Sequence, residues 1–257
     1  MRGLIKDSPV KRGILSMMRS REMVSGEDMA RELGVSRVSV WKHIKELQAL
    51  GYGIETTGKG YRLVSTPEKP YPWELDVRSY YLLKTPSTME VAERLAERGE
   101  PEWTFVIAEE QTAGRARRGG RWLSRRGGLY FSVILRPGIR LTDVGNLMEP
   151  SLKAVARTLG GYRIPVEVLE EGIYTGGKKI AGVLLEAAGE LDMVRYAIIG
   201  VGLNVSNPVP DDATSMARVL GRAPTLIDVS RKLFRELKLS LGTFLNQQSE
   251  VESDAEG

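Results

Sequence analysis

Apolar residues recur at helical spacing from Val10 to Arg19, with Val10, Ile14, Leu15, Met17 and Met18 in phase. Ser25-Gly-Glu-Asp28 reads as a capping box opening a second helix, with Met29 and Leu33 on one face and Gly34 closing it. Ser36 caps a third helix, Arg37 to Leu50, whose buried stripe is Val40, Ile44 and Leu47; Gly51 stops it. Two short β-prone runs follow, Tyr52–Thr56 and Tyr61–Val64, around the glycine turn Thr57–Gly60. Helix, glycine turn, second helix and hairpin in that order predict a winged helix-turn-helix.

Beyond it the pattern alternates. Helices are expected over Met89–Arg98, Leu147–Leu159 and Val229–Leu245, and strands over Thr104–Glu109, Leu129–Arg136, Ile180–Glu186 and Val194–Val201. This predicts an α+β (α/β) protein, its second domain built on a mixed sheet. The expected division is 1–66 for the winged helix and 67–74 for a semi-rigid proline-containing linker. A large domain follows over 75–246, with a disordered acidic tail over 247–257.

Charge separates the two domains. Residues 1–64 hold 12 Lys/Arg against 7 Asp/Glu, the remainder 25 against 26, so the small domain is the one suited to a polyanion. On the third helix Arg37 and Ser39 lie near the N-terminal end, where base edges are met, with Ser36 at the cap. Lys42, Lys45 and the hairpin-tip Lys59 suit phosphates; His43 is either a base contact or a surface histidine. The chain has no cysteine and one histidine, which excludes disulfides, thiolate metal sites and a Ser-His-Asp triad in the large domain. No metal site is assigned from these residues. No apolar run approaches the ~20 residues of a membrane span, and the first residues lack a signal peptide's apolar stretch. The expectation is a cytoplasmic protein.

Three segments carry candidate chemistry. Gln111–Trp122 is a glycine-rich loop with Arg115, Arg117, Arg118 and Arg121 between two strands, the composition of a phosphate- or carboxylate-holding flap or of a nucleic-acid contact. Gly176–Glu186 brings Lys178 and Lys179 to an apolar strand, as a reacting phosphate would need or as an ordinary hairpin would show. Gly200–Val205 ends a strand in a glycine turn.

Together, SGEDMARELGVSRVSVWKHIKELQALG, TTGKGYRL, the Ser87-Thr88 turn, EEQTAGRARRGGRW, GLYFS, KKIAGVLLE and GVGLNV resemble the biotin–protein ligase family, in its bifunctional form joined to a biotin operon repressor. The resemblance implies an ATP-dependent, adenylate-forming ligase. Biotin and ATP give biotinyl-5′-AMP, and the biotinyl group then passes to a lysine of a carboxylase's biotin carboxyl carrier domain. It implies that Arg115 and Arg117 engage the biotin carboxylate and the adenylate phosphate, and that Lys179 stabilises the transition state. It further implies that Ser87, Thr88 and Gln111 bond the biotin rings, that Gly114 lets the loop close, and that Gly182 and Leu184 line the pocket. Arg118, Trp122 and Asn204 would attend the nucleotide, with Mg²⁺ accompanying ATP. The same resemblance implies a homodimer binding operator DNA, with the adenylate as corepressor.

The chain departs from the family in two places. Val168-Leu-Glu-Glu-Gly172 stands where Lys-Trp-Pro-Asn-Asp is usual, and the C-terminal β-barrel is replaced by NQQSEVESDAEG. An active ligase-repressor, a repressor that senses biotin or another small carboxylate such as lipoate on a degenerate ligase scaffold, and a ligase-like dimerisation module without ligand therefore stand side by side at this point.

Overall fold

The computed structural model describes residues 3–255 except residue 171, with side chains described through residue 246. The elements in chain order begin with β1 (Leu4–Lys6), α1 (Pro9–Ser20), α2 (Gly26–Leu33), α3 (Arg37–Ala49), β2 (Gly53–Thr57) and β3 (Gly60–Ser65). Then come β4 (Ser79–Leu82), α4 (Thr88–Glu97), β5 (Thr104–Ala108), β6 (Leu129–Leu135) and α5 (Met148–Gly160). The last are β7 (Glu167–Leu169), β8 (Gly172–Thr175), β9 (Lys178–Glu190), β10 (Met193–Leu203), α6 (Met216–Leu220) and α7 (Leu226–Ala255).

The winged helix forms as its sequence predicts. Ser25 Oγ accepts from the Asp28 N–H at 3.0 Å and donates to the Asp28 carboxylate at 2.7 Å, which fixes the start of α2. Gly34 ends it at φ 64°. Ser36 Oγ accepts from Ser39 N at 3.1 Å to open α3. Val40, Ile44 and Leu47 are buried against Ile14, Leu15 and Met29, and β2 pairs with β3 as the wing.

The large domain is an eight-stranded sheet in the order β1-β4-β5-β6-β10-β9-β8-β7. Only β4 and β5 run parallel, so the mixed sheet is mainly antiparallel. One face is covered by α4, where Met89, Ala92 and Leu95 meet Val106, Ile134 and Ile198. The other is covered by α5 and α7, with Phe234 stacked on Phe105 at 4.2 Å between ring centroids. Among the described residues no helix is long and apolar enough to cross a membrane.

Three expectations need correction. The N-terminal segment is not wholly part of the winged helix: β1 pairs with β4 as an edge strand of the large sheet. Residues 67–74 are not a solvated linker, because Tyr71, Trp73 and Glu74 are buried. Tyr71 donates to Leu50 O at 3.0 Å and meets Tyr81 edge-on at 4.9 Å. Tyr52 donates to Glu74 at 2.6 Å, and Arg19 pairs with the same oxygen at 2.7 Å. Arg231, from α7, donates to Glu74 O at 2.7 Å. Aromatic side chains override the proline-rich composition here, since their buried area outweighs the tendency of prolines to mark solvent-exposed chain. Finally, α7 continues to Ala255, so the backbone of most of the predicted tail is helical. Gln and Glu favour helix and no Gly or Pro lies between Gly242 and residue 257; Glu256 and Gly257 lie outside the described residues.

Candidate active site

A cavity of about 420 Å³ opens on the sheet where β8, β9 and β10 meet the N-terminus of α4 and the arginine loop. Its floor is a row of glycines. Gly172, Gly182 and Gly202 are register partners across the three strands. A Cβ at Gly202 would come within 2.4 Å of Trp122 Nε1, and one at Gly182 within 3.0 Å of its Cζ3. The indole therefore lies flat on backbone that side chains elsewhere would cover.

Trp122 arrives there on the loop between β5 and β6, which folds back on itself. Trp122 N donates to Gly114 O and Ala116 N to Gly120 O, each at 2.9 Å. Gly114 is needed because a Cβ there would lie 2.5 Å from Trp122 O. Gln111 anchors the root: its Oε1 accepts from Thr88 N at 2.8 Å and Thr88 Oγ1 at 3.1 Å, and its Nε2 donates to Ser124 Oγ at 2.8 Å. Ser132 Oγ donates to Thr88 Oγ1 at 2.8 Å. Ser87, the N-cap of α4, is fully buried and accepts from Met89 N at 3.2 Å.

Arg115 and Lys179 both line the cavity. Arg115 pairs with Glu186 at 2.9 Å, but outside hydrogen-bond geometry; its Nε and Nη2, like Trp122 Nε1, are buried donors without a hydrogen-bond partner. Arg117 lies 3.9 Å from Glu170. The Gly176-Gly177 turn, both residues at positive φ, closes the β8–β9 hairpin. It leaves Lys178 exposed and turns Lys179 inward, with Nζ 5.6 Å from the Trp122 ring and 5.9 Å from the Tyr174 ring. The site is cationic, with Arg115, Arg117, Arg118 and Lys179 in its lining against the single carboxylate of Glu170 among the described residues.

Comparison with known proteins places the chain. A helix-turn-helix domain profile matches residues 11–62, and the biotin/lipoate A/B protein ligase family profile matches residues 81–204. The bifunctional ligase/repressor BirA of Bacillus subtilis is 37% identical over 219 residues, covering 79% of this chain and 67% of the relative. The chain belongs to the bifunctional ligase/repressor family. Its Escherichia coli member BirA is 29% identical over 259 residues, covering 93% of this chain and 79% of that one. Among solved structures, the biotin protein ligase of Aquifex aeolicus in complex with biotin and ATP superposes with a TM-score of 0.56 at 30% identity, covering 65% of this chain and 72% of that one.

Against this family the expected site residues distribute unevenly. Ser87, Thr88, Gln111, Arg115, Arg117, Arg118, Trp122, Lys179, Gly182 and Leu184 line one cavity. Gly114 lies just outside it, supporting the loop. Asn204 does not line it: buried, it accepts from Asn207 Nδ2 at 3.0 Å. The segment around it is not a glycine turn either, because Gly200 and Gly202 lie within β10 and act by lacking a side chain. Ser87 and Thr88 open a helix rather than forming a turn. Met89 and Tyr174 line the cavity as well, and no local motif singled them out; Leu169 of the divergent segment also lines it. Of the divergent segment, Val168 and Leu169 are exposed in β7, Glu170 sits at the hairpin bend at φ 50°, and Glu171 lies outside the described residues. Among the described residues no cluster of three metal-ligating side chains occurs, and Glu170 is the one carboxylate of the cavity lining. The described residues do not form a resident Mg²⁺ site.

Proposed function

We propose that the chain is an ATP-dependent biotin–protein ligase that also acts as a DNA-binding repressor, working in the cytoplasm. The observation that carries the first half is a pair of buried donors without hydrogen-bond partners, Arg115 Nε and Trp122 Nε1, beside Lys179, with the Arg115 guanidinium held at its far edge by Glu186 at 2.9 Å. Such donors cost about 1–3 kcal/mol each unless a ligand supplies acceptors, and biotin's carboxylate together with a nucleotide phosphate supplies them. In the first step a biotin carboxylate oxygen attacks the α-phosphorus of ATP and pyrophosphate leaves. Negative charge grows on the phosphate oxygens, and Lys179 with Arg115 stabilises it. In the second step the amine of a carrier-domain lysine attacks the acyl carbon and AMP leaves. Trp122 on its glycine floor offers a flat face for packing, and the arginine loop excludes water. Any Mg²⁺ travels with ATP.

The repressor half rests on the winged helix with its basic α3. The adenylate acts as corepressor, and a homodimer presents two winged helices to a two-half-site operator. A second reading keeps ligand binding without catalysis, and the Arg117–Glu170 pair favours it, since Glu170 sets a negative charge where ATP phosphates would come. The deciding experiment incubates the protein with biotin and ATP–Mg²⁺ and assays biotinyl-adenylate and pyrophosphate, with lipoate as the competitor. Product establishes the ligase. Calorimetric biotin binding without product establishes the sensor.

A further inference from the structure

The outward side of α3 carries a feature that the contacts proposed above leave unused. Val38, Trp41, Lys42 and Lys45 are exposed and recur at steps of three and four, so they form one stripe opposite the buried Val40, Ile44 and Leu47. Val38 is 74% exposed and Trp41 is 54% exposed. The core of the winged helix is already complete without them, and a solvated indole forgoes a large burial. The pair is therefore unpartnered apolar surface on a helix that projects into solvent.

Charge decides what covers it. Arg37, Lys42 and Lys45 flank the pair, and Lys59 stands at the wing tip; none of the four has an ion-pair partner among the described residues. The one carboxylate of α3, Glu46, lies off the stripe and is held by Lys11 at 3.0 Å and His43 at 3.3 Å. An apolar strip edged only by cations fits a groove with anionic walls and an apolar group on its floor. The major groove of DNA is such a groove, its phosphates forming the walls and the thymine 5-methyl the apolar group.

We propose that Val38 and Trp41 are the sequence-reading pair of α3, each packing against a thymine 5-methyl group in the major groove while Lys42, Lys45 and Lys59 hold phosphates. The inference rests on the DNA-binding reading above. Residues three apart on a helix set their Cβ atoms about 5–6 Å apart. At about 3.4 Å per base step, the two methyl groups belong to base pairs one or two steps apart.

The test uses the full chain with biotin and ATP–Mg²⁺, selected against a random-sequence duplex library at physiological salt. The enriched duplex is remade with each thymine in turn replaced by deoxyuridine, which removes only the methyl. Two replacements in each half-site are expected to weaken binding about fivefold or more. Trp41→Ala is expected to lose a similar factor on the thymine duplex and to be indifferent to uracil at one of those positions; Val38→Ala behaves likewise at the other. Both positions are exposed, so the thermal midpoints of the variants should match that of the wild-type chain. Lys45→Ala, in contrast, should weaken every duplex alike and lower the salt slope by about 1. Wild-type affinity that ignores uracil, or a Trp41→Ala loss equal on enriched and unselected DNA, overturns the inference while leaving DNA binding intact. Failure of the wild-type chain to enrich any duplex overturns the DNA-binding reading itself.

Discussion

Lys178 and Lys179 are neighbours with identical side chains, yet strand alternation sends one to solvent and the other to the cavity. Their chemistry should differ accordingly. Lys179→Ala is expected to lower the adenylation rate by about 100-fold or more, the cost of removing a charge aimed at the developing phosphate oxyanion. Lys178→Ala should stay near the wild-type rate. A pyrophosphate-release assay on both variants distinguishes them, and equal losses would remove Lys179 from its assigned role. The glycine row shows how far single residues were legible. The sequence marks each glycine, but their alignment depends on β8, β9 and β10 being register partners. Pairing of that kind is set by contacts remote in sequence. For the same reason the second task of Gln111, which lines the cavity and also braces α4 against Ser124, is not legible in sequence.

At the scale of elements, the β8–β9 hairpin sets the position of Lys179 through a two-residue turn with Gly176 at φ 55° and Gly177 at φ 71°. Gly177→Ala imposes a Cβ on left-handed backbone and is expected to cost about 1 kcal/mol. Because Lys179 is two residues away, adenylation should fall about tenfold through misplacement. Thermal unfolding and the adenylation assay together check this; an unchanged rate with lowered stability would show that the hairpin does not aim the lysine. The long periodic elements, α1 to α5, β5, β6, β9 and β10, are legible because each carries its own amphipathic or apolar signature. The short strands β1, β4, β7 and β8 are not. β4 is buried along its whole length and shows no alternation, and three-residue strands exist only through their partners. The helical run beyond Leu245 was hidden by its polar composition, which is shared by tails and solvated helices.

At the scale of the molecule, the two domains share one continuous apolar core running from Ile14 to Leu241, and Glu74 is its polar rivet. Its side chain holds Arg19 and Tyr52 from the winged helix, and its carbonyl holds Arg231 from α7. Glu74→Ala leaves the buried Tyr52 O–H without its acceptor, while Trp73 Nε1 still donates to the Tyr52 oxygen at 2.7 Å, and is expected to cost about 3 kcal/mol, since Arg19 is partly solvated and loses less than a fully buried partner would. Denaturant titration measures it, and a loss below about 1 kcal/mol would reduce the contact to an ordinary surface pair. Burial, then the hydrogen bond to Glu74, raises the Tyr52 hydroxyl far above its usual value near 10. The folded protein therefore keeps this proton where the unfolded chain gives it up. The stability it contributes is complete below pH 10 and declines as pH rises beyond that value. Tyr71 and Tyr80, pushed up to about 12, add to the same decline. Tyr52→Phe should flatten the slope of stability against pH above 10 by about 1.4 kcal/mol per pH unit, read from denaturation midpoints at several alkaline pH values. An unchanged slope would mean that Tyr52 ionises as freely in the folded state as in the unfolded one.

The strand before α1 and the strap after β3 both lie within the large domain's framework. A body hung from one strand of chain can swivel about it, whereas a body fastened at both ends resists torsion as a plank on two nails does. The winged helix is fastened in the second way. In the homodimer proposed above, each reading head would be held rigidly to its own large domain, so insertion of half a turn of DNA between the half-sites is expected to weaken binding.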